Sequence, residues 1–327
     1  MEASSTQQYS GNTVLSKVLL SIGVLLVVWN NYILPIPATL QWIIFAITIL
    51  IAGVPHGALD HIVAKQNSML QKKPFSSTQF YLTYLSRMAL FGICWLFFPS
   101  FSLLIFILLS AFHFGETDLL LPTSLKKNLA ATAQTIYGLL IVLLLLLTHT
   151  QEVLPILSII KKQNADILSI VFETRNSIFI ILITLFILIV TFIWLHRIQA
   201  LPYKWYMDII IRTSIILAII ICLPLPLAFA FYFGGWHSLH SLENIRKYLS
   251  DSGSETISFT ALLKKCVPYS IIAFLGIGIL IIMATYLKTE SVFLFFFFVG
   301  IAILTAPHLE VMSDMYNHLR KKDISRS

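Results

Sequence analysis

Long apolar runs dominate this chain, and several approach 20 residues without a charged side chain. An α-helix needs about 20 such residues to cross the hydrocarbon core of a bilayer. The pattern therefore predicts an all-α, polytopic transmembrane helix bundle of about ten spans, within a range of eight to ten. The predicted spans lie near residues 14–34, 39–62, 79–98, 100–119, 128–149, 176–196, 207–223, 225–247, 267–287 and 291–315.

Two prolines indicate where the least certain boundary between predicted spans lies. The apolar stretch from about 207 to 240 is too long for a single crossing, and Pro224 and Pro226 remove backbone donors at its middle. We therefore expect a break there. Because the polar connections are short, the sequence predicts one integral membrane domain over 1–327, with spans in 14–315 and polar tails at 1–13 and 316–327.

Composition and charge agree with this interpretation. The chain is 57% hydrophobic and 11% charged, whereas soluble proteins are about 25% charged. Its net charge of +7 is better explained by topology than by nucleic-acid binding. With the amino terminus in the cytoplasm, 15 of the 22 Lys and Arg residues lie on that side of the predicted membrane. The positive-inside rule then predicts a multi-pass protein of the cytoplasmic (inner) cell membrane.

Histidine is concentrated where four of the apolar runs end. The four motifs are Pro55-His56-Gly57-Ala58-Leu59-Asp60, His113-Phe114-Gly115-Glu116-Thr117-Asp118, Trp236-His237-Ser238-Leu239-His240 and Pro307-His308-Leu309-Glu310. They end predicted spans two, four, eight and ten, which all cross in the same direction. We therefore expect the four motifs at one depth, toward the cytoplasmic side.

Imidazole and carboxylate groups are costly inside a membrane and usually serve a site. Imidazole without a thiolate suits iron, copper, nickel or zinc and argues against a structural cysteine-type zinc site. Carboxylates at helical spacing could accept the second ring hydrogen of each histidine: Asp60 for His56, Glu116 for His113 and Glu243 for His240. Asp118 is a further candidate.

Simpler interpretations compete with this one. A single membrane histidine is more often a packing or interfacial residue than a ligand, and we apply that interpretation to His149, His196 and His318. We place His61 in a supporting or surface role, because it points away from His56 on a regular helix. The neighbouring aromatic residues could form the wall of a tunnel for a long apolar substrate, or could simply face lipid. They are Phe112, Phe114, Tyr232, Phe233 and Trp236.

Taken together, the motifs resemble those of the Brp/Blh family, the membrane-embedded bacterial and archaeal β-carotene 15,15′-dioxygenases. The resemblance runs from about residue 40 to 315. It implies a non-haem Fe(2+) enzyme that adds O2 across the central double bond of β-carotene and forms two molecules of all-trans-retinal. It also implies iron ligation by His56, His113 and His237. Since the family often has a second histidine where this chain has Ser241, the fourth ligand is either His240 or His308.

The resemblance also defines the expected partners and the alternatives. We expect β-carotene, O2 and the lipid bilayer as partners and no nucleic acid; a retinal-binding rhodopsin is a further candidate partner. No catalytic group beyond the metal ligands is assigned. One alternative is a di-iron carotenoid hydroxylase or desaturase, although those enzymes use about eight histidines and this chain offers six near the motifs. Another is a transporter that uses intramembrane His and Asp side chains.

Overall fold

The computed structural model describes residues 13–121, 125–157, 170–198, 202–250, 256–287 and 290–324. All the regular structure in these ranges is helical, which confirms the predicted fold class. The helices, labelled in chain order, are α1 Thr13–Val28, α2 Ala38–Thr48, α3 Asp60–Leu70, α4 Ser77–Phe97, α5 Pro99–Asp118, α6 Lys127–Leu147, α7 Thr150–Leu157, α8 Thr174–Arg197, α9 Tyr203–Cys222, α10 Leu225–Phe229, α11 Ser238–Ser250, α12 Phe259–Leu287 and α13 Glu290–Ile324.

Stretches of π-helix lengthen some of these elements. In the described part of the chain, they continue α1, α2 and α10 over Trp29–Ile33, Ile49–Gly53 and Ala230–His237. The second stretch leads into a single helical turn, Val54–Gly57, which precedes α3. The last stretch runs directly into α11, so 225–250 is one continuous helical segment.

Nine helical segments among the described residues are long and apolar enough to cross a membrane. Each corresponds to a predicted span; the segment that matches the predicted span 267–287 begins earlier, at Phe259, and its helix α12 continues to Leu287. The segment 225–250, which contains the predicted eighth span 225–247, is not among the nine. Its second half carries polar residues, including two histidines, and these lower its hydropathy.

The outer surface of the bundle is apolar. Leu25, Leu96 and Ile272 are 66%, 79% and 69% exposed, and many other large aliphatic side chains resemble them. An exposed apolar surface this large is unfavourable in water, and it is typical of a protein whose surface contacts lipid. The apolar helices and this surface together identify a membrane protein.

Helices α5 and α6 form the most extensive helix pair. A Cβ atom on Gly138 of α6 would overlap the backbone carbonyl of Ala111 in α5, and one on Gly115 of α5 would overlap that of Gln134 in α6. Small residues let membrane helices approach this closely. The contact fixes α5, the helix that carries His113.

Replacing Gly138 by alanine should therefore force α5 and α6 apart. Overpacking of this kind costs about 1–3 kcal/mol, and we expect a lower unfolding temperature for purified Gly138→Ala. Gly276 in α12 is the matched control, because an added Cβ would meet nothing within 4 Å. Gly276→Ala should unfold at the wild-type temperature or slightly above it, and equal losses for the two variants would contradict the packing argument.

The carboxyl-terminal helix α13 packs against α3, α4 and α5. It continues to Ile324, beyond residue 315, where a polar tail was expected. Tyr316 explains the difference: its side chain is fully buried, and its hydroxyl donates to Thr117 Oγ1 at 3.1 Å. The predicted tail residues 1–12 and 325–327 lie outside the described ranges.

Candidate metal centre

Histidines from all four motifs meet in the interior of the bundle. His56 lies in the turn Val54–Gly57, His113 in α5, His237 at the end of the last π-helical stretch, and His308 in α13. We refer to these four side chains as the histidine cluster. The sequence could place them at one depth but could not show that their helices are neighbours.

Each ring in the histidine cluster lies close to two others. The ring centroids of His113 and His237 are 4.7 Å apart, and those of His113 and His308 are 4.9 Å apart. His56 completes the arrangement at 5.1 Å from His308 and 5.4 Å from His237. Four imidazoles from four separate segments therefore form one compact group.

Three of these rings have ligand atoms grouped closely enough to suggest a metal site. Nitrogen atoms of His56, His113 and His308 all lie within 4.8 Å of one another, and all three residues are buried. Two nitrogens that share an ion at about 2.1 Å lie at most about 4.2 Å apart. Side-chain shifts of less than about 1 Å would bring all three nitrogens within bonding distance of one ion.

The unsatisfied nitrogens of the cluster fit a metal as well. Both ring nitrogens of His113 and His237, Nδ1 of His56 and Nε2 of His308 are buried without a hydrogen-bond partner. Buried polar atoms are nearly always satisfied, and an unpaired one costs about 1–3 kcal/mol. A bound cation would satisfy several of these nitrogens at once.

The π-helical stretches help to position two of the histidines. Pro55 has no backbone N–H and cannot continue a regular hydrogen-bond ladder, and a π-helical turn directly precedes it, just before His56. The stretch that ends at His237 packs against this turn. Gly234 lets this stretch approach the adjoining end of α2, because a Cβ there would lie 2.8 Å from Cβ and Oγ1 of Thr48. Such bulges are frequent at functional sites.

Asp60 supports the cluster through a different histidine from the one expected. Its Oδ1 atom accepts a 2.7 Å hydrogen bond from Nδ1 of His308, and its Oδ2 atom accepts one of 2.7 Å from the Tyr84 hydroxyl. The sequence spacing had placed Asp60 against His56. With Nδ1 of His308 donating to the carboxylate, the Nε2 lone pair is free to face the cluster.

Neither Glu116 nor Glu243 pairs with the histidine expected from its spacing. Glu116 accepts a hydrogen bond from Ser313 at 3.0 Å instead of one from His113. Glu243 binds Arg246 through two hydrogen bonds of 2.7 and 2.8 Å instead of His240. The Glu116 hydrogen bond joins α5 to α13, whereas the Glu243 pair lies within α11.

Asp118 is the centre of a separate buried network. The hydroxyls of Tyr137 and Tyr232 donate to its Oδ2 atom at 3.2 and 3.1 Å, and Nε1 of Trp236 donates to Oδ1 at 3.1 Å. The guanidinium of Arg212 donates to the Asp118 backbone carbonyl at 2.8 Å and lies 5.7 Å from the Trp236 ring centroid. The network links α5 and α6 to the segment that carries His237.

His240, one of the two candidates for the fourth ligand, uses both ring nitrogens outside the cluster. Nδ1 donates to the Trp236 carbonyl at 2.7 Å, and Nε2 lies 2.9 Å from the Ser16 hydroxyl of α1. Its ring also packs on Trp236, with centroids 4.3 Å apart. Neither nitrogen is free to meet an ion among the other histidines.

The predicted tunnel aromatics fall into two groups. Phe114 and Phe233 contact His237, with ring centroids 4.7 and 5.9 Å away. Tyr232 and Trp236 turn instead toward Asp118 and are buried in the core. Phe112 is half-buried and makes no ring contact with the cluster among the residues that the structure describes.

Sequence reasoning missed several residues around the site, above all Tyr84 and Phe229. Tyr84 supports Asp60 from α4, and Phe229 packs on Phe233 with ring centroids 5.2 Å apart. Neither lies in a histidine motif, and a Tyr or Phe in an apolar helix has no distinctive signal. His61 lies outside the cluster, as expected, with Nε2 3.0 Å from the Ser77 hydroxyl and its ring stacked on Tyr81.

Comparison with known proteins adds independent information. The sequence model of the family described as "Beta-carotene 15,15'-dioxygenase" matches residues 47–316, a range that contains all four histidines of the cluster. A protein of the same name from an uncultured marine bacterium, 66A03, is 28% identical over 273 residues. The alignment covers 83% of this chain and 92% of that protein. No solved structure matches the chain.

Proposed function

Since this chain belongs to the β-carotene 15,15′-dioxygenase family, we propose that it is a membrane-embedded non-haem iron enzyme. It cleaves the central 15,15′ double bond of β-carotene with O2 and releases two molecules of all-trans-retinal. The observation that carries the iron proposal is the histidine cluster, with its buried and unsatisfied ring nitrogens. The family supports the reaction and the substrate.

We assign His56, His113, His237 and His308 as the residues that would hold the iron. All four are buried, and none has a described hydrogen bond from a ring nitrogen that faces the cluster. Four protein ligands leave coordination positions for O2. A bound Fe(2+) would supply the activation of O2, which organic side chains cannot provide.

The remaining work of the protein is to hold an apolar polyene beside the iron. Phe233 is suited to this because its ring contacts both His56 and His237, at 6.1 and 5.9 Å. From Phe233, aromatic contacts continue to Phe229 and on to Phe45 and Phe298, at 5.2, 5.6 and 5.5 Å. This aromatic path would orient half of the substrate and exclude water, a positioning effect.

The atom balance of the reaction requires no further cofactor. One C=C bond is broken, and each oxygen atom of O2 becomes the carbonyl oxygen of one aldehyde. No reductant or proton donor is consumed, so no side chain is needed as a general acid or base. The substrate dissolves in the bilayer, and a site within the helix bundle could receive it from lipid.

The orientation of the site in the membrane is part of the proposal. The excess of Lys and Arg after the even-numbered spans supports a cytoplasmic location for the ends of those helices. The four histidines of the cluster fall in the second halves of the predicted even-numbered spans, so the cluster would then be closer to the cytoplasmic side of the cell membrane.

Expression in a bacterium that produces β-carotene tests the function directly. We expect loss of the orange colour together with the appearance of retinal, identified by chromatography, in cells that express the chain. Cells with an empty vector are the control. Retained colour with hydroxylated carotenoids and two iron atoms per chain would instead support the di-iron hydroxylase, because hydroxylation leaves the conjugated double bonds intact.

Iron dependence can be tested on the purified protein. A chelator should remove at least about 90% of the retinal-forming activity, because it would take away the ion on which O2 activation would depend. Added Fe(2+) should restore the activity, whereas Zn(2+) should not, since zinc has no redox chemistry. Full activity in a protein that contains less than about 0.1 iron per chain would contradict the proposed cofactor.

A further inference from the structure

A chain of hydrogen bonds connects α4 to the histidine cluster through α3. The Tyr84 hydroxyl donates to Oδ2 of Asp60 at 2.7 Å, and Oδ1 of Asp60 lies 2.7 Å from Nδ1 of His308. Asp60 and His308 are only 4% and 6% exposed. The three residues come from three helices, α4, α3 and α13, so the chain is a tertiary feature rather than a local one.

Each carboxylate oxygen of Asp60 has one described partner, the Tyr84 hydroxyl for Oδ2 and Nδ1 of His308 for Oδ1. Within a buried environment, hydrogen bonds to a charged acceptor are short and strongly directional. The Tyr84 hydroxyl therefore fixes the side-chain rotamer of Asp60. Asp60 in turn fixes the tautomer and the ring orientation of His308.

From this geometry we infer that Tyr84 is a positioning residue for the metal centre, acting on His308 through Asp60. The inference rests on the proposed function in that it requires His308 to be a ligand. Partners that orient metal-bound histidines typically change metal affinity by about 10–100-fold when they are removed. The same effect is expected here from a residue that does not touch the metal.

The position of Tyr84 determines which substitution is informative. Its side chain lines a cleft of about 280 Å³ between α3, α4 and α13, which Thr83 and Pro307 also line. Tyr84→Ala would remove the ring as well as the hydroxyl and would expose Asp60 to water in the cleft. The effect of the lost hydrogen bond could then not be separated from the effect of hydrating Asp60. Tyr84→Phe keeps the ring as the wall and removes only the hydroxyl.

Tyr81 provides a matched control on the same helix. It lies one turn earlier in α4, and its ring stacks on His61 with centroids 5.0 Å apart. Tyr81→Phe removes a hydroxyl from the same helix without touching Asp60 or the histidine cluster. A change in metal binding that both variants share would indicate a general disturbance of α4. A change confined to Tyr84→Phe would indicate that the hydrogen-bond chain is responsible.

Titration of the metal-free protein with Co(2+) measures the effect without depending on turnover. Co(2+) bound by histidines absorbs visible light, so affinity and ligand geometry are read from the same spectra. We expect Tyr84→Phe to weaken Co(2+) binding about 10–100-fold and to shift the visible bands. Tyr81→Phe should remain within about twofold of wild type in affinity, with unchanged bands.

A double-mutant cycle tests whether Asp60 transmits the effect. In the Asp60→Ala background, adding Tyr84→Phe should weaken Co(2+) binding by less than about twofold further. An equal loss in both backgrounds would overturn the inference, because it would show that Tyr84 acts through the general structure. So would wild-type affinity in Tyr84→Phe alone.

The titration also separates this inference from the proposed function. If wild-type protein bound no Co(2+) or Fe(2+) at the histidine cluster, the metal centre itself would be refuted and the inference with it. If wild type bound metal and Tyr84→Phe bound it equally well, the metal centre would stand and only the role of Tyr84 would be lost.

Discussion

His308→Ala should abolish retinal formation, with at least about a 100-fold loss of activity and less than about 0.1 iron per chain. The substitution removes one of three imidazoles whose nitrogens lie within 4.8 Å of one another. It also leaves the buried Asp60 carboxylate with Tyr84 as its single described partner, which raises the cost of keeping that charge inside the bundle. Loss of a direct ligand should exceed the 10–100-fold effect of a supporting residue.

A substitution at His240 gives the contrasting result. Both nitrogens of this ring are engaged, by the Trp236 carbonyl and the Ser16 hydroxyl. His240→Gln keeps a hydrogen-bonding side chain at the position, so we expect it to retain about one iron per chain. Metal analysis by mass spectrometry and retinal by chromatography, on equal amounts of purified protein, measure both effects. Iron lost from His240→Gln but retained in His308→Ala would reverse the assignment.

The positions of the helices along the chain and the similar depth of the four histidine motifs could be predicted, because both depend on local sequence. Apolar length indicates the membrane crossings, and alternation of direction places His56, His113, His237 and His308 at similar depths. Their convergence depends on helix packing, for which one sequence gives no signal. Close approaches such as Gly138 against Ala111 could be recognised only in the structure.

The supporting carboxylates could not be assigned because spacing arguments assume a regular helix. The helical turn with His56 ends at Gly57, and a new helix starts at Asp60, so the regular i,i+4 spacing cannot be assumed between these two residues. The observed partner of Asp60, His308, is 248 positions away. Glu243 illustrates a second reason: Arg246 lies three residues away and is a stronger partner than a neutral histidine.

The aromatic residues near His237 were predicted as one group but have two roles. Tyr and Trp carry a polar atom that needs a partner when the ring is buried. Tyr232 and Trp236 therefore turn to Asp118, whereas Phe233 has no such requirement and faces the histidines. The difference depends on the position of Asp118, which comes from another helix.

Asp118→Ala should have the largest effect on stability. It would leave three buried donors, Tyr137, Tyr232 and Trp236, without the acceptor that they share. It would also remove a negative charge that interacts with the partly buried Arg212. Breaking a buried charged network in this way costs about 3–5 kcal/mol, a large part of the 5–15 kcal/mol that typically stabilises a protein. We expect little folded protein and a strongly lowered unfolding temperature in detergent.

Smaller substitutions in the same network provide the controls. Tyr137→Phe removes one donor and leaves Asp118 with two, so it should cost only about 1 kcal/mol. Asp118→Asn keeps an acceptor oxygen but loses the charge, and its unfolding temperature should lie between those of the other two variants. Equal unfolding temperatures for Asp118→Ala and Tyr137→Phe would show that the carboxylate does not hold this network together. Because Trp236 precedes His237, any folded Asp118→Ala protein should also bind Fe(2+) more weakly than Tyr137→Phe does.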